Sequence, residues 1–369
     1  MKNISYLSLK AINAPYEKAI AEALIKVVDS GWYLRGRCVS MFENEWASYC
    51  DAGYCVGCGN GLDALRLVLM AWKNARLLEQ GDEVIVPANT FIATVLAVSE
   101  SGLTPVLTDP DPDTGLLTVS AIKEMVSSRT RAILPVHLYG QLCDMESIMS
   151  YASAHSLLVL EDCAQCHGIN HIMSRSAVKI PAGHHACAWS FYPGKNLGAL
   201  GDAGAVTTDS KSLADEVRAL SNYGSAEKYV NDVKGLNSRM DELQAAVLSL
   251  KLADLNRCNG RRIDIAHRYL DEVVNPKIML PHISTASVFH IFPVRCDQRD
   301  ELQAFLDSRG IQTQIHYPIP PHKQQAYPEW HGCRLPVTEA IACTELSLPC
   351  NQAMTDDEVT RVIEALNDF

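Results

Sequence analysis

From about residue 54 to residue 210 the chain alternates short, largely apolar runs with longer helix-like segments, and this alternation limits the possible folds more than any other feature. The runs Cys55–Gly57, Glu83–Val86, Pro105–Thr108, Ala132–Val136, Leu157–Glu161, Ala186–Phe191 and Gly204–Thr208 read as strands buried on both faces. Between them, Asp63–Lys73, Phe91–Ser101, Val119–Val126 and Asp144–His155 read as helices. That order predicts the α/β class with a mainly parallel sheet. From Asp241 to about Val274 the pattern is one helical stretch, apolar at Leu243, Ala246, Val247, Leu250, Leu252 and Leu255. The last hundred or so residues mix strands (Val288–Val294, Gln312–Ile315) with helices (Asp300–Ser308, Asp356–Asp368). We therefore expect a large α/β domain over residues 1–250, including an N-terminal arm, and a smaller α+β domain over 251–369.

Composition narrows the function classes. The 43 acidic residues outnumber the 32 basic ones, a net charge of −11, which argues against a nucleic-acid or anionic-membrane partner. No apolar stretch approaches the ~18 residues of a spanning helix. The 13 cysteines are an odd number with no apolar leader before them, which suits a reducing compartment, so a cytoplasmic protein is expected.

Three segments carry chemistry. Gly59-Asn60-Gly61-Leu62-Asp63 stands between a strand and an apolar helix, where unpaired N–H groups at the helix start hold phosphate well, although connecting turns of this type are common. Leu157 to Gln165 runs an apolar strand into Glu161 and Asp162, at the strand end where parallel sheets bind ligands. Asp162 there suits a cationic ring nitrogen or a metal, and equally a helix N-cap. Ser190-Phe191-Tyr192-Pro193-Gly194-Lys195-Asn196 delivers one lysine into a Gly-rich loop, without the Ser/Thr of a Walker A motif.

Taken together, these segments resemble one family. Asn60-Gly61-Leu62-Asp63-Ala64-Leu65, Pro87-Ala88-Asn89-Thr90-Phe91-Ile92-Ala93-Thr94, Pro135-Val136-His137-Leu138-Tyr139-Gly140, Glu161-Asp162-x-Ala164-Gln165-x-His167-Gly168, the Lys195 loop and Gly235-x-Asn237-x-Arg239-Met240-x-Glu242-x-Gln244-Ala245-Ala246 look like motifs of the DegT/DnrJ/StrS sugar aminotransferases. His316-Tyr317-Pro318 and Leu346-Ser347-Leu348-Pro349 match as well. The resemblance implies a fold type I (aspartate aminotransferase-like) enzyme with pyridoxal 5'-phosphate (PLP). Lys195 would carry the cofactor covalently and shuttle the substrate proton. Asp162 would pair with the pyridine nitrogen, and Gln165, three residues on and expected on the same helical face, would reach the ring hydroxyl. Phe91 would stack on the ring. Gly61, Leu62 and Ser190 would hold the phosphate, and Asn237 would reach it from the second subunit of a homodimer.

The family's donor is L-glutamate and its acceptor a nucleotide-linked ketosugar. Trp32, Tyr33, Tyr192, Arg239, His316 and Tyr317 are the expected substrate contacts, with Arg37 and Lys228 as further cations for the diphosphate. Leu62, the run Leu197-Gly198-Ala199-Leu200-Gly201-Asp202, and Asn222-Tyr223-Gly224-Ser225 with Lys228-Tyr229 resemble the branch that makes dTDP-3-amino-3,6-dideoxyhexoses. Amination at the 4-position, or a non-catalytic regulatory protein on the same fold, are the alternatives. The dehydratase branch replaces the lysine by histidine, which Lys195 opposes.

Two departures stand out. The pairs Cys55–Cys58 and Cys163–Cys166 look like zinc half-sites, but roughly a hundred residues separate them, far beyond ribbon spacing. They are expected to be buried filler, with no metal site. Ala203 stands where relatives commonly have Gly, so strain is expected if that position needs a positive φ. The segment Ile169–His185, with His171, His184 and His185, is expected to be a solvated insertion.

Overall fold

The structure is a computed structural model that describes residues 3–169, 181 and 183–369; His171 and most of the expected insertion lie outside the described residues. Seven strands form one sheet: β1 (Tyr54–Cys58), β2 (Glu83–Pro87), β3 (Thr104–Thr108), β4 (Thr130–Ile133), β5 (Leu158–Asp162), β6 (His185–Ser190) and β7 (Gly204–Thr208). Their spatial order is β1-β7-β6-β5-β4-β2-β3. Every neighbouring pair is parallel except the two made by β7, which runs against both β1 and β6. Its first residue, Gly204, is therefore paired with the last residues of β1 and β6, Cys58 and Ser190.

The strands are apolar because helices cover both faces. Helix Gly61–Asn74 buries Ala64, Leu65, Leu67, Val68, Leu69, Ala71 and Trp72. It packs on Ile92–Glu100 and Lys211–Leu220 as well as on the sheet. Trp72 is anchored by its indole N–H on the Gly183 carbonyl at 2.6 Å. Truncating it to Ala would cost about 3–5 kcal/mol. The opposite face packs around Trp46, Trp189 and Phe191.

A second core gathers Ile265, Tyr269, Phe292, Leu302, Leu346 and Val362 around the two-stranded sheet β8 (Phe292–Arg295) and β9 (Glu345–Leu348). Ile4 joins this core, and its N–H bonds the Gly310 carbonyl at 2.8 Å, so the N-terminal arm is pinned to the C-terminal residues. Helix Leu255–Glu272 belongs to both cores, since Leu255 packs under the large sheet and Ile265 in the second cluster.

Several expected elements differ. The helical stretch is two helices, Glu242–Leu252 and Leu255–Glu272, broken where Tyr16 and Arg257 take the Asp254 carboxylate. The expected strand Val288–Val294 begins only at Phe292, because Phe289 has φ +43°, which ends an extended run. Gln312–Ile315 forms no strand; Gln314 makes one isolated bridge to Ser347. Ala203 does not have a positive φ, so the expected strain is absent; it is buried and its carbonyl accepts from Phe191 N at 2.8 Å. His185 is the first residue of β6 rather than part of an insertion. Among the described residues no helix is long and apolar enough to cross a membrane.

Candidate active site

The site lies at the carboxyl ends of β1, β2, β5 and β6, where the strands hand over to loops and leave backbone groups unpaired. Asn60 caps the helix that follows β1. Its side chain accepts from Asp63 N at 2.8 Å and its carbonyl from Ala64 N at 3.0 Å. The amides of Gly61 and Leu62 are then the two in the first turn that no acceptor among the described residues takes up. A Cβ on Gly61 would lie 2.6 Å from the Ser190 Cβ, so glycine is what lets the helix start close against the end of β6. Two free amides, a helix N-terminus and the Ser190 hydroxyl form a cradle for a phosphate.

Asp162 ends β5 and is tied to the segment that follows β4. Its N–H donates to the Pro135 carbonyl at 2.9 Å, and its carbonyl accepts from His137 N at 3.1 Å. Its side chain accepts from Ala164 N at 3.1 Å on Oδ1 and from the Thr94 hydroxyl at 2.8 Å on Oδ2. Thr94 Oγ1 also lies 2.8 Å from Thr90 Oγ1. With its single proton committed to the carboxylate, Thr94 must accept from Thr90, which makes a two-hydroxyl relay ending on Asp162. Neither threonine figured in the expected site. Their i, i+4 spacing at the start of the helix after β2 is the signal that could have found them.

Lys195 sits in the β6–β7 loop. Its N–H bonds the Tyr192 carbonyl at 2.8 Å, and the next residue, Asn196, is locked by Asn259, the Val288 carbonyl and His290. Desolvation pulls the Lys195 ammonium down to about 8, with Asp162 and Cys166 acting in the opposite sense. Burial, together with the nearby Lys195 charge, keeps three imidazoles neutral: His167 falls to about 3, His316 to about 4 and His290 well below its ordinary value. The lysine therefore has a carboxylate and no competing cation among these neighbours.

Gln165 is not on a helix; β5 is followed by turns. Its Oε1 accepts from Tyr139 N at 2.5 Å and its Nε2 donates to the Tyr317 hydroxyl at 3.2 Å, which leaves a second amide proton for a ligand. Tyr139 is held at φ +61°, a region unusual for tyrosine, by that bond and by its hydroxyl on the His316 carbonyl at 2.7 Å. The Phe91 ring, half-exposed at the mouth, is 5.4 Å from the Tyr317 ring. His316 is fixed by Ser347 at 2.8 Å on Nδ1 and by the buried Glu345 carboxyl, which accepts its backbone N–H at 2.6 Å.

Gly61, Leu62, Ser190, Asp162, Gln165, Lys195, Phe91, His316 and Tyr317 thus converge at one end of the sheet. Trp32, Tyr33, Asn237 and Arg239 make no hydrogen bond or ring contact with Lys195, Asp162 or Gln165 among the described residues. Trp32, Tyr33 and Tyr192 are exposed, and so is Asn237, on the segment where Ser238 Oγ accepts from Gly59 N at 3.0 Å. Arg239 donates to Asn222 at 3.0 Å and lies over the Tyr223 ring. Lys228 lies over the ring of Tyr229 beside it.

The comparisons agree with this geometry. The chain is 49% identical, over 99% of both chains, to the dTDP-3-amino-3,6-dideoxy-alpha-D-galactopyranose transaminase of Aneurinibacillus thermoaerophilus. It superimposes with a TM-score of 0.93 on the crystal structure of S. venezuelae DesV in complex with a ketimine intermediate, at 42% identity over 100% of this chain and 98% of that one. The Bacillus subtilis NtdA structure, with bound cofactor PMP, gives 0.90 at 31% identity, covering 99% of this chain and 85% of the other. Residues 15–367 match the family directly, and the chain belongs to the DegT/DnrJ/EryC1/StrS aminotransferases.

Proposed function

We propose that this protein moves the amino group of L-glutamate to C3 of a dTDP-3-keto-6-deoxyhexose, giving 2-oxoglutarate and a dTDP-3-amino-3,6-dideoxyhexose, with PLP as its cofactor. The observation that carries the reading is the placement of a lysine lowered to about 8 beside Asp162, at the same end of the sheet as a helix N-terminal cradle. Position 3 is supported by the identity to the Aneurinibacillus enzyme over the full chain.

The residues present fit PLP: the Gly61–Leu62 amides and Ser190 suit its phosphate, Asp162 its ring nitrogen, the free Gln165 amide proton its ring hydroxyl, Phe91 its face and Lys195 its aldehyde. Bound there, PLP supplies an electron-withdrawing ring that makes the carbon beside the transferred nitrogen acidic. Asp162, oriented by Thr94 and Ala164, holds a proton on the ring nitrogen. Lys195 Nζ takes the proton from the donor carbon and returns it on the other side of the exchange, which requires a neutral amine near the working pH. His316 and Tyr317 line the acceptor side, and Trp32, Tyr33, Tyr192 and Arg239 receive the sugar and diphosphate.

The active unit is a homodimer, in which Asn237 of the partner subunit reaches the phosphate. The exposed Ile25, Val28, Trp32, Tyr33 and Leu34 near the N-terminus support a covered surface there. The reading places the protein in the cytoplasm, supplying an unusual sugar for lipopolysaccharide or a related glycan. Incubating holoenzyme with glutamate and a panel of 3-keto and 4-keto nucleotide sugars, with products identified by mass spectrometry and NMR, tests it. Amination at C3 of a dTDP sugar is expected. Exclusive amination at C4, or no product together with a cofactor absorbance that glutamate leaves unchanged, would refute it.

A further inference from the structure

Three of the four residues of β9 come from the Leu346-Ser347-Leu348-Pro349 motif, for which the cofactor site itself has no use. Side chains alternate along a strand, so Leu346 and Leu348 enter the second core while Glu345 and Ser347 share the opposite face. Both are at most 1% exposed, and both meet His316. Glu345 Oε2 accepts the His316 backbone N–H at 2.6 Å, and Ser347 Oγ lies 2.8 Å from His316 Nδ1. Glu345 Oε1 and Ser347 Oγ are hydrogen-bonded to each other. The other ring nitrogen, His316 Nε2, has no partner among the described residues. The ring lies 5.4 Å from that of Tyr317, which is in turn beside Phe91.

His316 is a neutral imidazole, since burial and the Lys195 charge lower it to about 4, and it therefore carries one ring proton. Ser347 decides where that proton sits, because its single hydroxyl proton serves only one of its two neighbours. With Glu345 ionised, the serine donates to the carboxylate and accepts from Nδ1–H, which leaves Nε2 a bare lone pair. With Glu345 protonated, Oε2 already accepts the His316 backbone N–H, so the acid proton stands on Oε1 and is donated to Ser347. The serine then donates to Nδ1, and the ring proton is on Nε2. We propose that Glu345, acting through Ser347, sets the tautomer of His316 and thereby whether Nε2 meets the acceptor sugar as a donor or as an acceptor. The proposal rests on the reading of His316 as a contact of the ketosugar. A keto oxygen can only accept, so the state that serves it has Glu345 neutral and the proton on Nε2. Glu345 and Ser347 are positioning residues that act through His316.

The surroundings favour the neutral acid. The titratable and charged groups around Glu345 are Tyr6 of the N-terminal arm, Tyr139, His316, Tyr317, its register partner Arg295 on β8, and Arg299. Burial raises all three phenols, which stay uncharged. Arg295 is taken by Thr344 and the Pro112 carbonyl, and Arg299 by Asp300 and the carbonyls of Ala342 and Glu345, so neither guanidinium bonds the Glu345 carboxyl. Desolvation lifts that carboxyl to about 8, against the Ser347 and His316 N–H bonds and the Arg299 charge. The proton count balances. On ionisation the two protons of the chain each shift one place, from Oε1 to Oγ and from Oγ to Nδ1, and the proton that leaves to solvent is the one on Nε2.

The test is a nitrogen NMR titration of holoenzyme carrying isotopically labelled histidine, from about pH 6 to about pH 10, with the His316 signals identified by their loss in His316→Gln. Protonated and bare ring nitrogens have well-separated shifts. The expected result is a protonated Nε2 and a bare Nδ1 at the acid end, reversed at the alkaline end with a midpoint of about 8. In Glu345→Gln the side-chain oxygen is claimed by the His316 N–H, so its amide protons face Ser347 and His316 should keep the first form throughout. In kinetics at about pH 7, Ser347→Ala should raise the KM for the ketosugar about tenfold, while the glutamate half-reaction, followed by cofactor absorbance, keeps its rate. A wild-type His316 that holds one form throughout, an Nδ1 protonated at both ends, or a reversal that persists in folded Glu345→Gln overturns the proposal. An unchanged ketosugar KM in folded Ser347→Ala overturns it equally. The titration needs no sugar, so a reversal that is intact in an enzyme that aminates no 3-keto sugar supports the relay and refutes only the reaction proposed above.

Discussion

Replacing Thr94 by Val tests whether the cofactor aspartate depends on the hydroxyl relay behind it. Valine keeps the shape of threonine and removes only the hydroxyl that donates to Asp162 Oδ2 at 2.8 Å. Both residues are buried, Thr94 at 1% and Asp162 at 7% exposure, so water cannot replace the lost bond. A hydrogen bond to a charged acceptor contributes about 1.5–3 kcal/mol, which corresponds to a ~10–150-fold loss if it falls entirely on cofactor affinity. The carboxylate keeps its bond from Ala164 N, so the lower part of that range is expected. Thr90 loses its acceptor as well, and an unpaired buried hydroxyl costs about 1–3 kcal/mol of stability. The two effects separate experimentally. Equilibrium titration of apoenzyme with PLP reads the first, and denaturant unfolding of apoenzyme reads the second. Thr94→Ser restores the hydroxyl and should recover most of the affinity. A Thr94→Val protein that binds PLP within twofold of wild type and turns over normally would refute the relay.

Two further outcomes follow from ionisation in the site. Lys195 is lowered to about 8, so PLP capture by apoenzyme should accelerate about tenfold per pH unit below that value and level off above it; stopped-flow absorbance showing a rate that still climbs towards pH 10 would contradict the assignment. Glu345 is raised from 4.5 to about 8 by burial, so between those values the folded chain keeps a proton that the unfolded chain releases, and stability falls as pH rises. Glu345→Gln removes that slope and should gain on wild type from pH 5 to 8, by on the order of a few kcal/mol in denaturant unfolding, with parallel curves for the two proteins as the contrary result.

Much of the seven-stranded sheet and its covering helices was legible from residue order because the strands are buried on both faces and the helices are strongly patterned. Glu83–Val86, Pro105–Thr108 and Gly204–Thr208 lie within or coincide with β2, β3 and β7. The C-terminal residues were less legible for local reasons. Phe289 takes a positive φ that its neighbours do not announce, and Asp254 ends one helix and precedes the next through bonds to Tyr16, far away in sequence. The same limit applies within the site. Asp162 and Lys195 are visible as a carboxylate and an amine at strand ends, but Gln165 needs no helix to reach its place, since Tyr139 N and the Tyr317 hydroxyl position it across the fold.

The alternation of apolar runs and helices determined the α/β class, and the ordered motifs determined the family, because these depend on local periodicity and on residue type at fixed spacing. Only the tertiary structure decided the environment of each group. Sheet pairing brings Gly204 between the ends of β1 and β6; burial sets Lys195 near 8 and Glu345 near 8; and the hydroxyl of Thr94, far away in sequence, orients the Asp162 carboxylate. Desolvation and through-space contact depend on residues distant in sequence, and no reading of neighbours along the chain contains them.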